Sequence, residues 1–167
     1  MTAIERTFWI HLGLGAGALA LGYGLARQVG AALAIILLGG LWFAMQRADR
    51  EVGGLMLLLA CGAAAVGVLA GVSGVALLIG VVGCLGAWDL DHFLSRLAAA
   101  ERVDYETGLG REHVRRLLAI EGVGLVAGLF ALTAQARISF WWEALLALLA
   151  VIGISRMVAF IRKQSGQ

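Results

Sequence analysis

The chain alternates between long apolar runs and short polar connections. A helix needs roughly 20 apolar residues to cross a hydrocarbon core of about 30 Å. The runs lack the strict alternation of apolar and polar residues that marks a transmembrane β-barrel, and backbone groups in lipid must be hydrogen-bonded within a helix. The pattern therefore predicts an all-α polytopic integral membrane helix bundle. About six transmembrane helices are expected, over residues 8–26, 29–46, 52–70, 75–95, 114–134 and 138–161.

The connections between these runs are of two kinds. Residues 26–28, 71–74 and 135–137 have little charge and predict tight turns, whereas 46–51 and 96–113 are charged. This arrangement predicts three helical hairpins within one transmembrane domain, residues 1–167. In the longer charged connection we expect helix 4 to continue to about Ala100, a turn to follow at 107–110, and a new helix to start near Arg111.

The basic residues are distributed unequally between the two sides of the predicted bundle. Arg27 and Arg137 lie on one side, and the other eleven of the thirteen lie on the side of both termini. Because cytoplasmic loops carry an excess of Lys and Arg, both termini are predicted to be cytoplasmic. Arginine is used almost to the exclusion of lysine, which we interpret as a bacterial bias. The expected location is a bacterial inner (plasma) membrane.

Composition supports a membrane location and excludes several classes of function. The chain is 61% hydrophobic and 14% charged, with a mean hydropathy of +0.91, whereas soluble domains carry roughly 25% charged residues. A net charge of +2, with basic residues scattered over loop ends, does not suggest nucleic acid as a partner. Membrane lipids are the expected partners. Cys61 and Cys84 both lie in apolar runs and predict neither a disulfide framework nor a zinc site.

Known catalytic motifs are missing from the chain. It contains no P-loop and no His-Glu-x-x-His motif, and Glu112-His113 has the reverse order. The Asp-Gly-x-x-Ala-Arg signature of membrane phosphatidyltransferases and the Glu-Glu-x-x-x-Arg pattern of intramembrane proteases are absent as well. Asp89-x-Asp91-His92 offers potential metal ligands, but helical geometry splits them between two faces. We therefore predict no metal and no cofactor.

The candidate site is a cluster of ionisable residues in or near the membrane. Ionisable groups within a span are energetically expensive, so each one is a functional hypothesis, although a packed ion pair that fixes helix register is an alternative. All members are predicted to lie about one turn inside, or at, the cytoplasmic boundary, and they converge only if helices 1, 4 and 5 are neighbours. This polar membrane cluster consists of His11, Asp89, Asp91, His92, Arg96 and Glu121.

Helical spacing assigns the members of the cluster to faces. Asp89, His92 and Arg96 share one face of helix 4, where they could also be a polar end that reaches toward headgroups. Asp91 lies on a stripe of small residues along another face of helix 4, so we expect it to be the buried carboxylate. Glu121 and His11 likewise align with glycines. If they converge, these groups would suit a proton relay, a cation site or a pocket for lipid headgroups.

Glycines four residues apart offer sites where helices can pack closely. Such spacing lets two helix backbones approach each other in a membrane. In a chain with 24 glycines the simplest interpretation is ordinary tight packing within a small bundle. The pairs are Gly13/Gly17, Gly67/Gly71 and Gly124/Gly128.

Three functions are compatible with these features. The first is a non-enzymatic accessory or assembly subunit of a membrane complex, with other membrane protein subunits as partners. The second is a small transporter or proton-coupled carrier that uses the acidic and histidine side chains of the cytoplasmic leaflet. The third is a lipid-modifying membrane enzyme in which a carboxylate and His92 act as acid and base.

Overall fold

The structure is a computed structural model that describes residues 3–48, 52–99 and 106–133, and all secondary structure within these residues is helical. Five of the six predicted helices lie here, and the predicted span 138–161 and turn 135–137 lie outside the described residues. Six spans in three hairpins are therefore not confirmed. The helices are α1 (Ala3–Leu25), α2 (Val29–Arg47), α3 (Gly53–Leu69), α4 (Gly74–Ala99) and α5 (Glu106–Thr133).

Four of these helices are long and apolar enough to cross a membrane, namely α1, α2, α4 and α5. The fifth, α3, has 17 residues. At 1.5 Å per residue it is about 26 Å long, slightly less than the hydrocarbon core of a typical bilayer. These lengths and compositions indicate an integral membrane protein. The apolar runs thus predicted both the helical class and the membrane character.

The two tight turns within the described residues are confirmed, and both use the same helix-ending motif. Arg27 and Gly71 adopt left-handed backbone conformations, with φ of 61° and 70°. After α1, the Gln28 N–H donates to the Tyr23 carbonyl at 2.9 Å. After α3, the Val72 N–H donates to the Gly67 carbonyl at 2.9 Å. This six-to-one bond is the Schellman motif, which satisfies carbonyls at a helix end that would otherwise be unpaired in lipid.

Successive helices run in opposite directions, so one end of the bundle gathers the start of α1, the end of α4 and the start of α5. We call this the basal end. A Cβ atom built on Gly53, at the start of α3, would lie 3.2 Å from Trp88 Cδ1 near the end of α4. One built on Gly110 would lie 2.5 Å from Ile4 Cδ1. The basal end is where the polar residues of α1, α4 and α5 come into proximity.

Helix α1 lies at the centre and packs most closely on α4. A Cβ atom built on Gly15 would lie 2.6 Å from the Cys84 backbone nitrogen, and one on Gly83 would lie 2.7 Å from the Gly15 nitrogen. Around this backbone contact, Phe8, Leu19 and Leu90 are fully buried. The apolar core therefore forms where two glycine-lined helices touch.

The glycine pairs chosen by spacing do not match the close contacts. Within the part of the chain that the structure describes, a Cβ on Gly13, Gly17 or Gly124 would meet nothing within 4 Å, and Gly71 forms a turn. Gly67 and Gly128 do pack closely against leucine side chains of α4, but the other glycine of each pair does not share the contact. Spacing alone failed here because it does not tell which face of a helix meets a neighbour.

The start of α5 is a correction to the sequence-based prediction. The helix begins at Glu106, five residues before the start predicted near Arg111, so the predicted turn at 107–110 is wrong. Gly108 and Gly110 suggested a turn, but Gly110 is buried against Ile4. Tertiary packing on α1 therefore outweighs the low helix propensity of glycine, which costs about 1 kcal/mol relative to alanine.

Candidate functional site

Helices α1, α4 and α5 contact one another, which is the condition that convergence of the polar cluster required. His11 lies on the buried face of α1, one turn after Phe8 and one turn before Gly15. Glu121 lies one turn after Leu117 on the narrow buried stripe of α5. These are the faces that the sequence assigned to both residues. They bring the two side chains together between α1 and α5.

The His11–Glu121 pair is the most buried polar contact among the described residues. His11 Nε2 lies 3.0 Å from Glu121 Oε2, and the two side chains are only 9% and 8% exposed. The other ring nitrogen, Nδ1, lies 2.8 Å from the Thr7 carbonyl oxygen, one turn earlier in α1. A backbone group therefore orients the imidazole, and the imidazole in turn orients the carboxyl group.

Gly86 of α4 provides the space for this pair. A Cβ atom at position 86 would overlap Glu121 Oε1 and would lie 2.5 Å from His11 Cδ2. Glu121 Oε1 is buried and has no hydrogen-bond partner among the described residues. Such an atom is costly because it has lost water without gaining a donor. The pair is thus enclosed on its third side by the backbone of α4.

A second pair lies closer to the basal end and joins α4 to α5. His113 Nε2 is 2.7 Å from Asp89 Oδ2, and the two side chains are 30% and 37% exposed. The His113 ring also stacks on Phe93, with centroids 4.1 Å apart and an angle of 4° between the planes. The two pairs together tie α5 to α1 and to α4.

His113 is a site residue that the sequence did not single out. The sequence places it at the end of the charged connection, where it forms half of an inverted metalloprotease motif. Its spacing from Glu121, eight residues, places both on one helical face, with Leu117 midway between them. A helix that starts near Arg111 already contains both residues, so this shared face is the signal that points to His113.

The other members of the polar membrane cluster lie apart from the His11–Glu121 pair. His92 and Arg96 are exposed, and His92 stacks on Trp88 with ring centroids 6.1 Å apart. Asp91, expected to be the buried carboxylate, is half-buried beside Gly53, and Glu121 takes that place. The shared face of Asp89, His92 and Arg96 does not act as a unit, because Asp89 pairs with His113 on another helix.

An apolar cavity of about 30 Å³ lies among α1, α2, α3 and α4. Ligand pockets for small molecules commonly reach 300–1,000 Å³, so this cavity is a packing void and not a substrate pocket. Within the described residues, no three His, Cys, Asp or Glu side chains are grouped so that they could hold a metal ion. The described pairs consist of histidine and carboxyl groups, which can exchange protons.

Comparison with models of known families, with curated proteins and with solved structures finds no match for this chain. Its function must be inferred from its own geometry.

The Asp89–His113 pair is expected to contribute little to stability. Asp89→Asn keeps the shape of the side chain and removes its charge. Because both partners are partly exposed, we expect the free energy of unfolding to fall by less than about 1 kcal/mol. Unfolding of the purified protein in detergent, followed by circular dichroism, measures the change. A loss of several kcal/mol would show that this pair is as important to the bundle as a buried one.

Proposed function

We propose that the chain is a non-enzymatic accessory or assembly subunit of a membrane complex. The observation that carries this proposal is an open column of glycines on α1, the helix at the centre of the bundle. A Cβ atom on Gly13, Gly17 or Gly24 would meet none of the described residues within 4 Å. In a bilayer, small residues in such a column allow a second helix to approach closely.

The surroundings of this column support helix packing. Large apolar residues border it on one side, namely Ile10, Leu14, Leu21 and Leu25, and they are 54–82% exposed. A glycine groove beside an apolar ridge is a shape that another helix fits better than a disordered acyl chain. The glycines that point inward, such as Gly15, already serve this purpose in the contact with α4. We propose that the outward column serves the same purpose for a partner subunit.

The contacts of the polar residues also favour a role as a subunit of a membrane complex. The buried His11–Glu121 pair and the partly exposed Asp89–His113 pair each join two helices. The described cavity is apolar and too small for a typical substrate. These features suit a bundle that holds its shape within an assembly.

The proposed location is a bacterial inner membrane with both termini in the cytoplasm. Of the described basic residues, Arg6, Arg47, Arg96 and three arginines of α5 belong to the basal end, whereas Arg27 lies in the turn at the other end. An excess of positive charge marks the cytoplasmic side of inner-membrane proteins. The basal end is then the cytoplasmic one.

Gly17→Leu is expected to abolish association with the partner subunit. The leucine would occupy the groove from a position where a Cβ atom meets no described residue within 4 Å, so we expect the bundle itself to remain folded. Tagged wild-type and variant proteins are purified gently from their own membranes, and mass spectrometry identifies what accompanies them. We expect a stoichiometric membrane partner with the wild type and at least a tenfold loss of it with Gly17→Leu.

The matched control is Gly62→Leu on α3, where a Cβ atom also meets nothing within 4 Å among residues 3–48, 52–99 and 106–133. This variant should retain the partner, because it lies on a different helix face. Purification of the wild type as a single homogeneous chain would reject the proposal. Equal loss of the partner in both variants would reject the glycine column as its binding face.

A proton-coupled carrier is the second candidate function, favoured by the buried His11–Glu121 pair. In that case Glu121→Gln should abolish transport while expression stays unchanged. A lipid-modifying enzyme is less well supported. It would have to use the exposed His92 or the partly exposed Asp89–His113 pair as acid and base at the membrane boundary.

A further inference from the structure

A contact within α1 determines that one ring nitrogen of His11, Nδ1, carries a proton. His11 Nδ1 lies 2.8 Å from the Thr7 carbonyl oxygen. A carbonyl oxygen only accepts hydrogen bonds, so Nδ1 must carry a hydrogen and donate it. This contact spans one helical turn within a single element. It fixes the imidazole either as the neutral form protonated at Nδ1 or as the doubly protonated cation.

The contact on the other side of the ring requires one more proton. His11 Nε2 and Glu121 Oε2 are 3.0 Å apart, and a hydrogen bond between them needs a hydrogen on one of the two atoms. If the hydrogen is on Oε2, both groups are neutral. If it is on Nε2, an imidazolium faces a carboxylate. The net charge of the pair is zero in both cases.

We infer that His11 and Glu121 form a buried proton-binding site, which holds a single proton between Glu121 Oε2 and His11 Nε2. Removing this proton, or adding a second one, would leave a net charge on side chains that are 9% and 8% exposed within membrane-spanning helices. Such an unpaired charge is expensive in lipid. The site therefore binds one proton. This inference does not depend on which of the proposed functions is correct.

The free oxygen of Glu121 places the proton on the carboxyl group. Oε1 is buried, faces Gly86, and has no hydrogen-bond partner among the described residues. In a carboxylate this atom would share the negative charge, whereas in the neutral acid it is a carbonyl oxygen. A buried unpartnered atom costs more when it belongs to a charged group. The resting form is thus a neutral glutamic acid that donates from Oε2 to Nε2 of a neutral histidine.

The Asp89–His113 pair is a separate and more exposed site. It joins α4 to α5 nearer the basal end, and its two side chains are 30% and 37% exposed, whereas the buried pair lies between α1 and α5. His113 precedes Glu121 by eight residues, or about 12 Å along the helix. Transfer within the buried pair moves the proton from Oε2 to Nε2 and leaves an imidazolium and a carboxylate, with no change in net charge.

Nitrogen magnetic resonance of the wild-type protein tests this inference directly. The protein is labelled with ¹⁵N-histidine, placed in lipid bilayers at neutral pH, and the His11 signals are assigned with the His92→Gln and His113→Gln variants. We expect one protonated and one unprotonated ring nitrogen in His11. Two protonated nitrogens, as in an imidazolium, would overturn the assignment of the proton to Glu121.

Infrared difference spectroscopy examines the same proton from the carboxyl side. We expect a protonated-carboxyl stretching band in the wild type that is lost in Glu121→Gln and retained in Glu112→Gln, where an exposed carboxylate is removed. The glutamine can donate from its amide to His11 Nε2 and is shaped like the neutral acid, which favours folding of the variant. Absence of such a band from the wild type would overturn the assignment of the proton to Glu121, and its absence together with a neutral His11 would overturn the single-proton site itself.

Discussion

Gly15→Val is expected to destabilise the bundle by about 3 kcal/mol or more, at the upper end of the cost of overpacking a core. The new Cβ would lie 2.6 Å from the Cys84 backbone nitrogen and 2.9 Å from the Gly83 carbonyl carbon. Both are backbone atoms of α4, so no flexible side chain can move aside. The two central helices would have to separate, which would open the core around Leu19 and Leu90. Denaturant unfolding of the purified protein in detergent measures the loss.

Gly13→Val is the matched control for this prediction. It makes the same chemical change two residues earlier in α1, where a Cβ atom meets no other described residue within 4 Å. The intrinsic effect of valine on the helix is therefore the same in both variants, and only the contact with α4 differs. Similar losses in the two variants would contradict the close approach of α1 and α4 at Gly15.

Glu121→Leu is expected to cost about 1–3 kcal/mol, since it leaves His11 Nε2 buried without a partner. His11→Leu should cost a similar amount, because it removes the partner of Glu121 Oε2. The double variant should be more stable than the sum of the two losses implies, since it leaves neither unpaired group behind. Equilibrium unfolding of all four proteins in detergent gives the coupling free energy, which we expect to be at least about 1 kcal/mol.

The same double-mutant cycle on the Asp89–His113 pair provides a comparison for the coupling free energy. That contact is shorter, at 2.7 Å, but much more exposed. We expect its coupling to be smaller, because water replaces a lost partner at an exposed site. If His11 and Glu121 showed no coupling, the two side chains would not be in contact in the folded protein.

The helices from α1 to α4 and the two described turns could be predicted from the sequence for a simple physical reason. Lipid requires long apolar segments in which every backbone group is hydrogen-bonded, so hydropathy alone marks the spans. Short connections with little charge marked the ends of α1 and α3. The start of α5 could not be obtained in this way, because it depends on the contact of Gly110 with Ile4.

The candidate site was predictable in part. The helix face on which His11 or Glu121 lies follows from the small or buried residues with which each aligns. Their pairing does not follow from the sequence, because it depends on which helices are neighbours. The expectation that Asp91 is the buried carboxylate was wrong for the same reason: its small-residue stripe does not reveal that Gly86, one turn and a half earlier on α4, faces Glu121.

The mass of the particle that this chain forms in its membrane tests whether it is a subunit of a membrane complex, as we propose. Native lipid particles are cut from the membrane without detergent, isolated through a tag on the chain, and weighed by native mass spectrometry. We expect a particle that contains one or more different polypeptides in fixed ratio to this chain. A particle with a single copy of this chain and lipids, or with copies of this chain alone, would contradict it.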